Sequence, residues 1–187
     1  MTDPSERVRM KKTDIYGERA MHNELTKVDI EMMKEEIEHR KTVLAPKLRE
    51  DVKTARELGD LSENDEYRSA KRELNRNYSR IRYLTNMIET ATIIEDHSTA
   101  DTVGLFDRVT LRYDEDDEED TVTIVTTPRI DVLSGCISKE SPLGRVLVGR
   151  RVGERLLVAV NETTSYYVTV VGIEKGKDDA THKISSY

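Results

Sequence analysis

The chain has 187 residues, of which 36% are hydrophobic and 36% charged, a balance that suits an elongated helical element beside a small core in one or two modest domains. One Phe and no Trp argue against a large aromatic-lined pocket, the single Cys136 excludes an internal disulfide framework, and His22, His39, His97 and His182 show no metal-ligand spacing. The net charge of −7 is carried wholly by the unbroken acidic run at residues 114–120, so the overall acidity does not argue against a partner that handles nucleic acid.

Residues 1–22 mix charges of both signs with Pro4 and Gly17 and keep no period, which predicts a mobile arm. Residues 23–58 then contain no Gly and only Pro46, and residues 62–95 contain neither. Apolar residues recur in steps of three and four at Ile30, Met33, Ile37, Leu44, Leu48, Val52 and Ala55. They do so again at Tyr67, Ala70, Leu74, Tyr78, Ile81, Leu84, Ile88 and Ala91. One apolar seam on each of two helices joined by a short loop predicts an antiparallel α-helical coiled-coil hairpin over residues 23–96, each helix ~50 Å long. Pro46 lacks a backbone donor and should bend the first helix. The loop and its flanks, residues 59–67, gather carboxylates at a projecting tip.

Beyond the hairpin the pattern changes. Residues 97–101 look like a linker. Short β-branched runs at 108–113, 121–127, 156–160 and 166–173 predict a small antiparallel β-sheet with a short helix near 143–148, the whole spanning residues 102–175 and followed by a tail at 176–187. The acidic run falls where the first strand-to-strand turn is expected and reads as solvated. Tyr166 and Tyr167 read as strand packing. The expected fold class is therefore α+β. No apolar run reaches the length of a membrane span and the N-terminus lacks a signal-peptide core, so a cytoplasmic location is expected.

Two segments carry a specific resemblance. Arg56-Glu57-Leu58-Gly59-Asp60-Leu61-Ser62-Glu63-Asn64-Asp65-Glu66-Tyr67, followed by Ala70-Lys71, resembles the hairpin-tip signature of the bacterial Gre transcript-cleavage factors. Ile137-Ser138, Ser141-Pro142-Leu143-Gly144, Leu147-Val148-Gly149-Arg150 and Val152-Gly153 are similar to that family's C-terminal signature. The resemblance covers residues 23–175. It implies a C-terminal domain of FKBP-like fold that docks on bacterial RNA polymerase beside its secondary channel. The coiled coil then enters the channel and brings its tip to the polymerase active centre. There the factor stimulates cleavage of the nascent RNA 3′ end in backtracked complexes. A factor of this kind is a monomer and not an enzyme on its own; it shares Mg²⁺ with the polymerase and holds none in isolation. The resemblance places the catalytic and metal positions on Asp60 and Glu63, with Asn64, Asp65, Glu66 and Tyr67 in support. It places polymerase docking on Ser141, Pro142, Leu143, Gly144, Gly149 and Arg150, and brings Arg56 and Lys71 near RNA. The sequence departs from the family pattern at Asp65, where Ala is usual, at Phe106-Asp107, where Gly-Ser is commoner, and in its extended N-terminus.

The tip residues also have plainer readings. Asp60-x-x-Glu63 fits a capping box, and acids at a helix start are stabilised by its dipole. Gly59 fits a left-handed helix C-cap. As chemistry, the same pair of carboxylates suits a weakly held Mg²⁺, which takes one or two carboxylates beside phosphate oxygens. Arg68, Arg72, Arg76 and Arg80 recur every fourth residue, a stripe that can face RNA phosphates or channel walls, or simply water. Three functions compete: a cleavage factor; a channel-occupying inhibitor without cleavage activity, which the additional acid Asp65 allows; and a peptidyl-prolyl isomerase, which the scarcity of aromatic residues disfavours.

Overall fold

The computed structural model describes residues 24–57 and 65–185. The predicted arm at 1–22, the tip acids Asp60 and Glu63, and Asn64 lie outside the described residues.

A short strand β1 (Glu24–Leu25) leads into helix α1 (Lys27–His39). Thr26 starts that helix through a reciprocal capping box: its hydroxyl accepts from the Asp29 amide at 3.2 Å and its amide donates to Asp29 Oδ2 at 2.8 Å. At residues 40–44 the helix widens into a single π turn, with the Ala45 amide bonding to the Arg40 carbonyl, before α2 (Ala45–Glu57) continues. The cause is local. Pro46 offers no N–H to the Thr42 carbonyl and its ring crowds that group, and widening the preceding turn relieves both problems. Asn77 supports the widened turn from α3, its Nδ2 lying 3.3 Å from the Arg40 carbonyl.

Helix α3 (Asp65–Glu89) returns alongside α1 and α2. Glu36 meets Arg80 and Arg40 meets Asn77, so the two arms run antiparallel. Every predicted seam residue is buried or half-buried, most deeply where Met33 and Leu84 become fully inaccessible. The second helix ends before the predicted residue 95. Thr92-Ile93 forms β2, parallel to β1, and the Ile94 amide closes on the Leu25 carbonyl at 2.9 Å. β-branched residues at 92–94 favour that extended path.

The remaining chain forms one five-stranded sheet of order β5-β4-β3-β7-β6, from β3 (Arg108–Tyr113), β4 (Glu119–Val125), β5 (Cys136–Ser138), β6 (Arg155–Ala159) and β7 (Ser165–Glu174). It is mixed, not purely antiparallel as expected, because β5 pairs with β4 in parallel. After β4 the chain reverses through two 3₁₀ turns and Gly135, whose φ of +71° admits few other residues, and so re-enters in the same direction. Helix α4 (Pro142–Leu147) covers the core, in which Val109, Leu111, Ile124, Leu147, Val158, Val168 and Val170 are fully buried.

The Phe106-Asp107 departure has a structural role. Phe106 takes a left-handed φ of 65°, and buried Asp107 accepts from the Gly104 amide, Lys175 Nζ and the Gly176 amide at 2.7, 2.6 and 3.0 Å. The acidic run spans a turn and the first two residues of β4, with Asp114 bound to Arg155 at 2.6 Å. Tyr166 stacks near Tyr113 at 5.8 Å, whereas Tyr167 lies on the outer face beneath Arg155. Among the described residues no helix is long and apolar enough to cross a membrane.

Candidate functional site

Helix α2 runs to Glu57 and α3 starts at Asp65, so the two arms flank residues 58–64 in the chain. Asp65 and Glu66 are exposed in the first turn of α3, where the helix dipole favours negative charge. Arg68 stands 3.8 Å from Asp65, a loose and exposed ion pair. Lys71 Nζ lies 5.7 Å above the half-buried Tyr67 ring, which ties those two side chains to one face. Arg56 is exposed in the last turn of α2, Arg72 is exposed on α3, and Arg76 pairs with Glu73 at 2.8 Å.

The predicted arginine stripe does not extend to Arg80. Each four-residue step rotates a helical position by about 40°, so Arg80 stands about 120° around from Arg68. That rotation carries it into the seam, where its side chain is 8% exposed and grips Glu36. Of the predicted basic residues, Arg56, Arg68, Lys71, Arg72 and Arg76 are exposed.

The second predicted site is built on α4. The Ser141 hydroxyl caps the helix by accepting from the Gly144 amide at 3.0 Å and also donates to the Ser138 carbonyl at 2.7 Å. Pro142 opens the first turn with a φ already suited to it. A Cβ on Gly144 would stand 2.2 Å from the Ser138 carbonyl oxygen, so this position admits only glycine. Leu143 is half-buried and Leu147 fully buried beneath the helix. Gly149 adopts φ +80° while its amide bonds to the Val103 carbonyl at 2.8 Å. Arg150 is exposed, 3.5 Å from Glu154. Ser141, Leu143, Gly144 and Gly149 thus set the shape of the segment, and Pro142 and Arg150 face outward.

Sequence reasoning missed two groups. Val148 and Val152 stand 43% and 55% exposed beside Arg150; their signal was apolar residues that fall outside the period of α4. Arg129 and Asp29 are buried against each other between the arms and the sheet. No periodic pattern marks either of them. Among the described residues no group of three or more His, Cys, Asp or Glu is placed to hold a metal.

The two halves match separate family models. Residues 23–93 match the N-terminal model of a transcription elongation factor family, GreA/GreB, and residues 97–175 match the GreA/GreB C-terminal model. The chain is 43% identical over 145 residues to the transcription elongation factor GreA of Thermosipho melanesiensis, covering 78% of this chain and 87% of that one. It is 44% identical over 135 residues to GreA of Geobacillus kaustophilus, covering 72% and 85%. A crystal structure of Thermus aquaticus Gfh1 is 28% identical with a TM-score of 0.37, covering 81% of this chain and 97% of that chain.

Proposed function

The chain belongs to the GreA/GreB family of transcription elongation factors, and from that premise we propose that it enters the secondary channel of bacterial RNA polymerase and stimulates cleavage of backtracked RNA. In this reading the sheet is an FKBP-like docking domain and the arms are a coiled coil that reaches the polymerase active centre. One observation carries the proposal. The arms touch the sheet domain at their base, through Asp29 and Glu24, and the first arm runs on from Asp29 to Glu57 for about 28 residues of helix, or ~40 Å. A protein anchored by its sheet can therefore place carboxylates deep inside a channel.

Asp60 and Glu63 are assigned the catalytic positions. They orient the attacking water against the phosphodiester and complete the oxygen donor set, while Asn64, Asp65, Glu66 and Tyr67 support the loop. Asp60 and Glu63 would hold Mg²⁺, which prefers hard oxygen ligands, and the ion would supply charge neutralisation and a polarised water. Arg56, Arg68, Lys71, Arg72 and Arg76 attract the RNA backbone and position the extruded 3′ end. Ser141, Pro142, Leu143, Gly144, Gly149 and Arg150 form the docking segment, and exposed Val148 and Val152 extend it as an apolar rim around a basic residue.

The test is direct. A stalled, backtracked elongation complex incubated with this protein and Mg²⁺ should yield RNA shortened from its 3′ end and then resume elongation. Suppressed nucleotide addition without shortened RNA would replace this reading with that of a channel inhibitor.

A further inference from the structure

We propose that Arg129 is a positioning residue for RNA cleavage, binding the C-terminal segment 176–185 across the joint between arms and sheet as a strap that fixes the direction of the arms. The proposal rests on the cleavage reading above.

One guanidinium joins three parts of the chain. Arg129 follows β4 in a 3₁₀ turn, and its side chain is wholly buried. Its Nε donates to Asp29, the same carboxylate that caps α1, and its Nη2 lies 3.4 Å from the capping Thr26 hydroxyl. The remaining donors go to the strap, Nη1 to the Asp179 carbonyl at 2.6 Å and Nη2 to Asp178 Oδ1 at 2.8 Å. The Phe106 ring closes over the group, 4.8 Å from its carbon. A planar fork with five donors can satisfy all of these at once; a lysine cannot.

The strap is fixed at both ends. At its start the Gly176 amide donates to Asp107, and a Cβ on Gly176 would stand 1.8 Å from the Phe106 carbonyl oxygen. At its end the Ser185 amide donates to the Pro128 carbonyl at 2.7 Å, and Arg80 Nη2 donates to the Ser185 carbonyl at 2.8 Å. Ile184 packs against the apolar cluster of the arms. Between these anchors the strap is mostly exposed and has neither helix nor strand, so it is held by a few side chains and can be detached by changing them. It also lies beyond residue 175, where the match to the C-terminal family model ends.

A reporter is built in. His182 on the strap approaches buried Cys136 at 3.4 Å, Nδ1 to Sγ, and both residues line a cleft of about 510 Å³. Detaching the strap uncovers the thiol.

The experiment uses the full chain carrying Asp178→Ala and Ile184→Ser. This variant keeps Arg129 against Asp29, whereas removing Arg129 itself would strand a buried carboxylate. Cys136 should react with a thiol reagent at least about tenfold faster than in wild type, because local opening becomes frequent. The concentration that half-saturates polymerase should stay within about threefold, while the cleavage rate at saturation falls about tenfold, since misplacement affects chemistry more than docking. Unchanged Cys136 reactivity overturns the strap, and faster reactivity with wild-type saturated cleavage overturns its positioning role. Should wild type cleave no RNA, the cleavage reading fails by itself; the strap is still judged by thiol reactivity and by solution scattering, both measured without polymerase.

Discussion

Arg80 lies in a two-point fork across the Glu36 carboxylate, Nε 2.9 Å from Oε1 and Nη2 3.1 Å from Oε2, and so joins the two arms. Arg40 adds a third bond at 2.7 Å. Burial alone would raise the Glu36 pKa, but the hydrogen bonds and charges of Arg80 and Arg40 outweigh it and hold the carboxyl below its ordinary 4.5. A carboxyl whose pKa drops on folding contributes stability that is present above the unfolded value and lost as pH falls through the folded one. The melting temperature should therefore decline as pH falls below about 5, and less steeply in Glu36→Gln. An equal slope in the two proteins would remove Glu36 from the account.

Replacing Asp60 or Glu63 by Ala separates catalysis from capping. The catalytic reading expects near-normal polymerase binding with cleavage reduced by about two or more orders of magnitude, partly restored by raising Mg²⁺. Pure capping expects a stability loss of about 1 kcal/mol with cleavage intact. Cleavage, binding and melting measured on the same two variants decide between them.

Gly144→Ala should damage docking. The added methyl meets the Ser138 carbonyl oxygen at 2.2 Å and Lys139 Cα at 2.9 Å; both are backbone atoms and neither can swing aside. Helix α4 must shift, at a cost of about 1–3 kcal/mol, and competition for polymerase should weaken. Gly149→Ala meets no atom within 4 Å, so its cost comes only from its left-handed backbone, about 1–2 kcal/mol. If Gly144→Ala melts and competes as wild type does, α4 is not the rigid docking element.

Leu84→Ala empties a fully buried position between the arms and should cost about 2–5 kcal/mol in chemical denaturation. Val43→Ala, at a position 55% exposed, should stay within about 0.5 kcal/mol. Similar losses for the two would mean that the arms do not pack through the observed seam.

The arms were legible because period determines burial: Met33, Ile37, Ile81 and Leu84 announced their seam, and each is buried. The strand runs were legible for the same reason, except β5, whose three residues are too few to show alternation. Arg80 misled because a spacing of four looks like one face over two turns but drifts by about 120° over three. Arg129 was illegible altogether, since its partners Asp29 and Asp178 stand far from it in sequence and only the tertiary fold brings them together. Residues 176–185 read as a tail because polar, non-periodic composition does not distinguish a free end from one anchored at a few points. The segment around Ser141 was recognised from its residues, yet its outward-facing valines became visible only once α4 had a direction.

The π turn at residues 40–44 gives the arms leverage. It precedes the loop that joins them by about 16 residues, or roughly 25 Å of helix, so each degree of bend there sweeps the far end through about half an ångström. Under the proposed function, cleavage that tolerates misplacement of only about an ångström would depend on a hydrogen-bond register several turns away. Pro46, which cannot supply the N–H of a straight helix, keeps that register from reverting. The direction of the arms is in this sense written into one imino acid.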